Sequence, residues 1–295
     1  MKEFKNYHPI VNFIYFFAVI GFSMVFMHPV CLGVSLLCSF LFFAVISGMK
    51  ALGKNLLYLL PMAVFMTIIN PMFNHAGVTI LAYFPGGNPF TFEALLFGFL
   101  ASVMIISVIS WFASCNKIMT SDKFVYLFGR IIPALSLVFS MTLRFIPRFV
   151  KQFKEVLGAQ KCVGKDISSG KLTDRAKVLF EVLSVMITWS LESSIETADS
   201  MKARGYGLKG RTTFSIYRFD RRDIYALVII TILSLYILAG GISGNISCTF
   251  FPSVRMAESS FYQTSILVAY FMLCIFPVVA EVCEVIRWKV LKSKI

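Results

Sequence analysis

Apolar runs close to the length of a bilayer-spanning helix, about 20 residues, alternate along the chain with short polar breaks. Residues 10–27 form the first run, His28-Pro29 interrupts it, and 30–49 form the second. So short a break predicts a tight hairpin, with Pro29 opening the second helix where its missing N–H is tolerated. Lys50 and Lys54 mark the next turn. Residues 56–70 give a third, shorter run interrupted by Pro61. The loop after it, through FPGGNPF at 84–90, contains no Lys or Arg. Fourth, fifth and sixth runs follow at 92–112, 224–238 and 264–280, the last broken by Pro277.

Residues 113–222 break this pattern. They hold most of the basic residues and over half of the acidic ones. Two apolar stretches, 124–143 and 178–191, each grade into a charged half, at 144–165 and 192–209. The pattern predicts two long helices whose apolar halves pack into or along the membrane while the polar halves project into the cytoplasm. In the second, Leu191, Ile195 and Ala198 form one stripe and Glu192, Glu196 and Asp199 the neighbouring one, at i, i+4, i+7. Gly205 is placed to end that helix. The organisation is therefore an all-α polytopic membrane protein with about six transmembrane helices and a cytoplasmic pair of long helices. Its segments are N-terminal membrane helices (1–112), a cytoplasmic helix domain (113–222), and C-terminal membrane helices with a basic tail (223–295).

Composition agrees: 58% hydrophobic and 15% charged residues over 295 positions, with a mean hydropathy of +0.78, against roughly 25% charged in a soluble domain. The net charge of +13 is spread over the gaps between spans, as positive-inside sorting and headgroup contact require, and not gathered in a nucleic-acid-binding arm. It places both termini, the 50–55 turn and the region after 112 in the cytoplasm, in a multi-pass protein of the cell membrane. The N-terminus lacks a small-x-small cleavage site and reads as the start of a first membrane helix. Seven scattered Cys without a CxxC read as small apolar filler.

Catalytic chemistry finds little support. No G-x-x-x-x-G-K-[ST] occurs, so there is no P-loop phosphate cradle, and GYGLKGRTT at 205–213 has the wrong spacing. No carboxylate pair sits inside a span, where an ion-coupled carrier keeps one; Glu281 and Glu284 fall near the end of the sixth run. An intramembrane enzyme acting on lipids or prenyl chains would need clustered Asp or His at the membrane surface, and the sequence has none. His28 and His75, at external turns, fit a metal or proton site or plain polar turn residues. The stripe Glu192, Glu196, Asp199 fits a metal site or a solvated face, with Asp199 near Lys202 at i+3. Ala203-Arg204-Gly205 ends the second long helix. Its Arg fits either the helix dipole or a partner's carboxylates, and Gly205 lets another backbone approach.

Four stretches carry a family resemblance: NPMFNHAG (70–77), TLRFIPRF (142–149), the pair Ala159-Gln160, and ETADSMKARGYG (196–207). With them, nearly the whole chain resembles the transmembrane T component of energy-coupling factor (ECF) transporters, the EcfT/CbiQ family. The resemblance implies a non-catalytic subunit of an ATP-driven importer of a vitamin or metal ion. Its two long helices are then coupling helices that engage two ATP-binding cassette ATPases. A separate membrane protein, the S component, captures the substrate. ATP and Mg reside on the ATPases, and this chain holds no cofactor and no metal. ATPase contacts map to Ala159, Gln160, Lys161 and Gly164 at the first helix end and to Ala203, Arg204 and Gly205 at the second. In AQKCVG (159–164) Val163 stands where the family has Arg, with Lys161 or Lys165 as alternative charges. S-component contacts map to Pro133, Ser136, Ser140, Arg144 and Pro147. The partners expected are thus two ATPases, an S component and membrane lipid. The alternative is the permease subunit of a conventional ABC importer, distinguished by the number of copies per ATPase pair.

Overall fold

The computed structural model describes residues 3–83, 89–129, 132–165, 172–206, 217–244, 246, 248–256 and 260–292, without the side chains of residues 3, 133–136, 255–256, 284–285, 287–289 and 291–292. The described chain consists of helices and two small ribbons joined by turns and loops. In order, α1 is Glu3–Asn6, α2 Pro9–Val25, α3 Pro29–Ser47, α4 Met49–Phe73, α5 Phe92–Ile118, α6 Ser121–Gly129, α7 Pro133–Cys162, α8 Leu172–Ala203, α9 Arg221–Ile242 and α10 Phe261–Lys292. Strand β1 (Ile80–Tyr83) pairs antiparallel with β2 (Pro89–Thr91), and β3 (Cys248–Thr249) with β4 (Arg255–Met256).

Helix starts follow the local chemistry. Pro9 opens α2 behind His8, whose ring nitrogen accepts from the Ile10 N–H at 3.3 Å. Pro29 opens α3 and Pro133 opens α7. The expected third span, 56–70 with a break at Pro61, is instead one helix, α4, that runs through Pro61 and Pro71. The turn before it is Gly48 alone, at φ 85°, so Lys50 and Lys54 belong to the helix and not to a turn. Proline is tolerated within membrane helices because neighbouring groups take up the freed carbonyl. Where the sequence suggests one long helix from 124, the described residues hold two elements, α6 ending at Gly129 and α7 starting at Pro133.

Six of the described helices are long and apolar enough to cross a membrane: α3, α4, α5, α8, α9 and α10 through Cys283. Helix α8 is among them, and α2, at 17 residues, falls just short.

The chain forms two compact units, Met1–Phe124 with Tyr217–Ile295, and Val125–Ile216. In the first, α5 packs on α2, α3 and α4, and α10 packs on α3 and α9. Aromatic rings fill its centre: Phe4, Tyr15, Phe16, Phe42 and Trp111 form a connected cluster with neighbouring ring centroids 5.3 to 6.5 Å apart, mostly edge-on. Next to them runs a buried hydroxyl chain. Ser23 Oγ meets Ser35 Oγ at 2.8 Å and Tyr270 Oη at 3.1 Å. Ser35 Oγ also meets Ser107 Oγ at 2.6 Å and accepts from Trp111 Nε1 at 3.0 Å. This chain ties α2, α3, α5 and α10, each such bond contributing about 0.6 kcal/mol in a membrane interior.

Two glycines explain the NPMFNHAG stretch. Gly98 lets α5 pass against α4 where a Cβ would lie 2.9 Å from both the Thr67 carbonyl and Asn70 Cβ. Gly77, at φ 147°, leaves room for the Glu93 carboxylate. Glu93 accepts from the Thr79 N–H and hydroxyl, at 3.1 and 2.8 Å. That carboxylate pins the turn leading into the β1–β2 ribbon.

In the second unit, α7 packs on α8. Trp189 locks the pair, with Phe149 edge-on at 5.4 Å and the Arg148 guanidinium over its ring at 5.2 Å.

Candidate functional site

The two long helices end in the same structure. At the end of α8, Ala203 is the last helical residue, Arg204 the cap, and Gly205 takes φ 74°. The Tyr206 N–H reaches back to the Met201 carbonyl at 3.1 Å, and the Gly205 N–H to Lys202 at 3.0 Å. At the end of α7, Cys162 is last, Val163 the cap, and Gly164 takes φ 84°. Here the Lys165 N–H reaches the Gln160 carbonyl at 3.0 Å, and the Gly164 N–H reaches Lys161 at 3.0 Å. Both are complete Schellman ends, with glycine in the left-handed position that disfavours other residues. Val163 is therefore the geometric counterpart of Arg204, and Gly164 of Gly205.

The two caps differ in what they present. Arg204 is exposed, and among the described residues its guanidinium has no carboxylate partner. Val163 offers an isopropyl group, 76% exposed. Of the two nearby lysines, Lys165 is ion-paired to Glu181 on α8. Ala159 and Lys161 are exposed and Gln160 is half-buried. The Lys165–Glu181 pair also fixes the span between the caps: one lies beside Glu181 and the other at Arg204, roughly 35 Å apart along α8 at 1.5 Å per residue.

A single unbroken α7 places Pro133, Ser136, Ser140, Arg144 and Pro147 on one stripe, at successive steps of three or four residues. Ser140, Arg144 and Pro147 are exposed; the side chains of Pro133 and Ser136 lie outside the described residues. Farther along, a groove of about 500 Å³ opens between α7 and α8, lined by Phe149, Val150, Phe153 and Lys154 on one side and by Met186 and Ile187 among others on the second. The sequence pattern did not single out this groove. Its signal was the apolar stripe on α8 continuing past any partner that α7 alone can cover.

The remaining sequence candidates separate. His28 is buried at the start of α3, and burial lowers its imidazole below the usual value. His75 lies half-buried in the turn after α4. Glu192, Glu196 and Asp199 are all exposed on α8. Among the described residues no three His, Cys, Asp or Glu side chains converge as a metal site. The segment 207–213 lies outside the described residues.

A family model described as CbiQ, cobalt transport protein, matches residues 5–214. Among curated proteins, the chain is similar to the energy-coupling factor transporter transmembrane protein EcfT of Listeria innocua, 30% identical over 66% of this chain and 74% of the relative. It is 29% identical to EcfT 1 of Listeria monocytogenes, over 58% of this chain and 68% of that protein. With EcfT of Macrococcus caseolyticus it shares 27% identity, over 68% and 76%.

Proposed function

This chain belongs to the CbiQ family, the transmembrane T components of ECF transporters, and from that membership we propose that it is the subunit through which two ATPases drive uptake by an S component. The cargo is a vitamin or metal ion held by the S component. ATP and Mg are held by the ATPases, and this chain contributes no catalytic group and no cofactor site. Both termini are cytoplasmic, as are the polar halves of the two long helices, at 144–165 and 192–209.

The observation that carries the proposal is the pair of equivalent glycine-ended caps on α7 and α8, one bearing an exposed Arg204 that has no carboxylate partner among the described residues. A helix end held by its own Schellman bonds needs no arginine for its carbonyls. The guanidinium is left for a partner, and its planar fork suits paired carboxylates in an ATPase groove. The left-handed Gly205 keeps the backbone narrow where it enters. The end of α7 engages the second ATPase through Ala159, Gln160, Lys161 and Gly164, and its tip is the apolar Val163. That contact relies on shape and burial, not on an ion pair. The stripe Pro133, Ser136, Ser140, Arg144 and Pro147 faces the S component, with small residues permitting close helix approach.

Arg204→Glu tests the assignment. Reversing the charge opposite buried carboxylates costs about 2–5 kcal/mol or more, so the variant loses ATP-dependent uptake and copurifies poorly with the ATPases. Normal uptake by the Arg204→Glu complex contradicts the assignment.

A further inference from the structure

Residues 120–124 lead out of the membrane core toward the 125–216 unit, and residues 217–223 lead back. Both stretches are held by the same short piece of the N-terminus. On the outgoing stretch, Lys123 is only 3% exposed. Its ammonium donates to the Lys5 carbonyl. Asn12, in the amide orientation that satisfies both neighbours, accepts from Lys123 Nζ at 2.7 Å and donates to the Phe4 carbonyl at 3.1 Å. On the returning stretch, the Phe219 ring lies 4.0 Å from the His8 imidazole, with Tyr217 edge-on at 6.5 Å. The Arg222 guanidinium sits over the Tyr7 ring at 4.5 Å. Asp223 Oδ1 accepts from the His8 N–H at 3.3 Å, while Oδ2 accepts from the Asp220 N–H at 3.2 Å. The Tyr217 hydroxyl faces the Thr120 side chain, which brings one stretch against the other. The Phe4 N–H donates to Glu281 at 3.2 Å, tying the same turn to α10.

A buried ammonium is a poor device for stability alone, because a well-packed apolar residue would serve as well or better. What directional hydrogen bonds add is a fixed position. We propose that residues 4–12 form a clamp that serves as the fulcrum of coupling. Both covalent connections to the 125–216 unit leave the membrane core at this one buried point, so a displacement of that unit is delivered there to α2, α9 and α10 together. Lys123 and Asp223 are its positioning residues. The role as fulcrum rests on the transport function proposed above; the clamp as a cooperative unit does not.

Hydrogen exchange read by mass spectrometry separates the two. In the full-length chain alone, residues 4–12, 120–124 and 217–224 exchange as one unit. Lys123→Met leaves the Lys5 carbonyl and Asn12 short of a partner, and speeds exchange in all three stretches about ten-fold. Independent exchange of the three stretches in the unaltered chain overturns the clamp. In the complex copurified with its ATPases, MgATP changes exchange in 125–216, in the clamp and in the adjoining ends of α2, α9 and α10. In the Lys123→Met complex the MgATP response stays within 125–216. An unchanged response of α2, α9 and α10 in that complex overturns the fulcrum. Loss of ATPase copurification by Lys123→Met does so too, because the clamp is assigned no part in binding them. No MgATP response anywhere in the unaltered complex contradicts the transport function and leaves the clamp standing. Where Lys123→Met does not accumulate, Tyr217→Phe removes only the hydroxyl that faces Thr120 across the two stretches and is read in the same way.

Discussion

The membrane core and the 125–216 unit use apolar residues for different ends. In the core, Trp111, Tyr15, Phe42 and Ile266 are wholly enclosed, and Ser23, Ser35, Ser107 and Tyr270 among them are bonded into one chain. On α8 the buried residues are Val182, Met186 and Ser193, while Leu179, Phe180, Leu183, Ile187, Leu191 and Ile195 stay exposed. The first half of α8 is apolar enough to cross a membrane, but the α8 stripe continues into the half of the helix that carries Glu192, Glu196 and Asp199. Apolar side chains interleaved with solvated carboxylates do not suit a bilayer interior. They suit a surface completed by protein partners. The core is finished within the chain, whereas the second unit is finished only in an assembly.

Substitutions sharpen this contrast. Trp111→Ala opens a cavity beside the rings of Tyr15, Phe16 and Phe42 and strips a donor from Ser35, costing about 3–5 kcal/mol and lowering the thermal unfolding midpoint of the isolated chain. Leu191→Ala, at a side chain 63% exposed, changes that midpoint by the equivalent of about 0.5 kcal/mol or less, yet weakens retention of partners. Equal losses for the two variants in the isolated chain would erase the distinction between the units.

A smaller effect separates the buried cation from the exposed ones. Burial, together with the charge of Lys5, lowers the Lys123 ammonium to about 8 against the opposing pull of Asp223. The folded chain therefore releases this proton before the unfolded chain does. Between about pH 8 and the ordinary lysine range the unfolded state holds more protons, so stability from this group rises with pH. Below pH 8 it is flat. The difference in unfolding midpoint between the unaltered chain and Lys123→Met should grow over that window, and a constant difference from pH 7 to 10 argues against a buried cation.

Much of this was written plainly in the sequence. Runs such as 92–112 and 224–238 announce spans because hydropathy over 20 residues has few other meanings in a chain this apolar. Gly205 announces a helix end because few residues tolerate its φ. Pro61 misleads, since its lost hydrogen bond breaks a soluble helix but is absorbed within packed membrane helices. The β1–β2 ribbon was hidden because its anchor, Glu93, sits 14 residues from Thr79 and pairs with it only in three dimensions. Lys123 reads as one more cytoplasmic charge after the fourth span. Nothing local distinguishes it from Lys117; only the folding of Lys5 and Asn12 against α6 encloses it. Val163 reads as a departure from the family's arginine, and the shared Schellman bonds are what reveal that the position itself is kept.

The stoichiometry of the intact assembly tests the central claim most directly. Native mass spectrometry of the complex purified through this chain should give one copy of it with two ATPases and one further small membrane protein. Two copies of this chain per ATPase pair, with no additional membrane subunit, would contradict the account and identify a conventional paired permease.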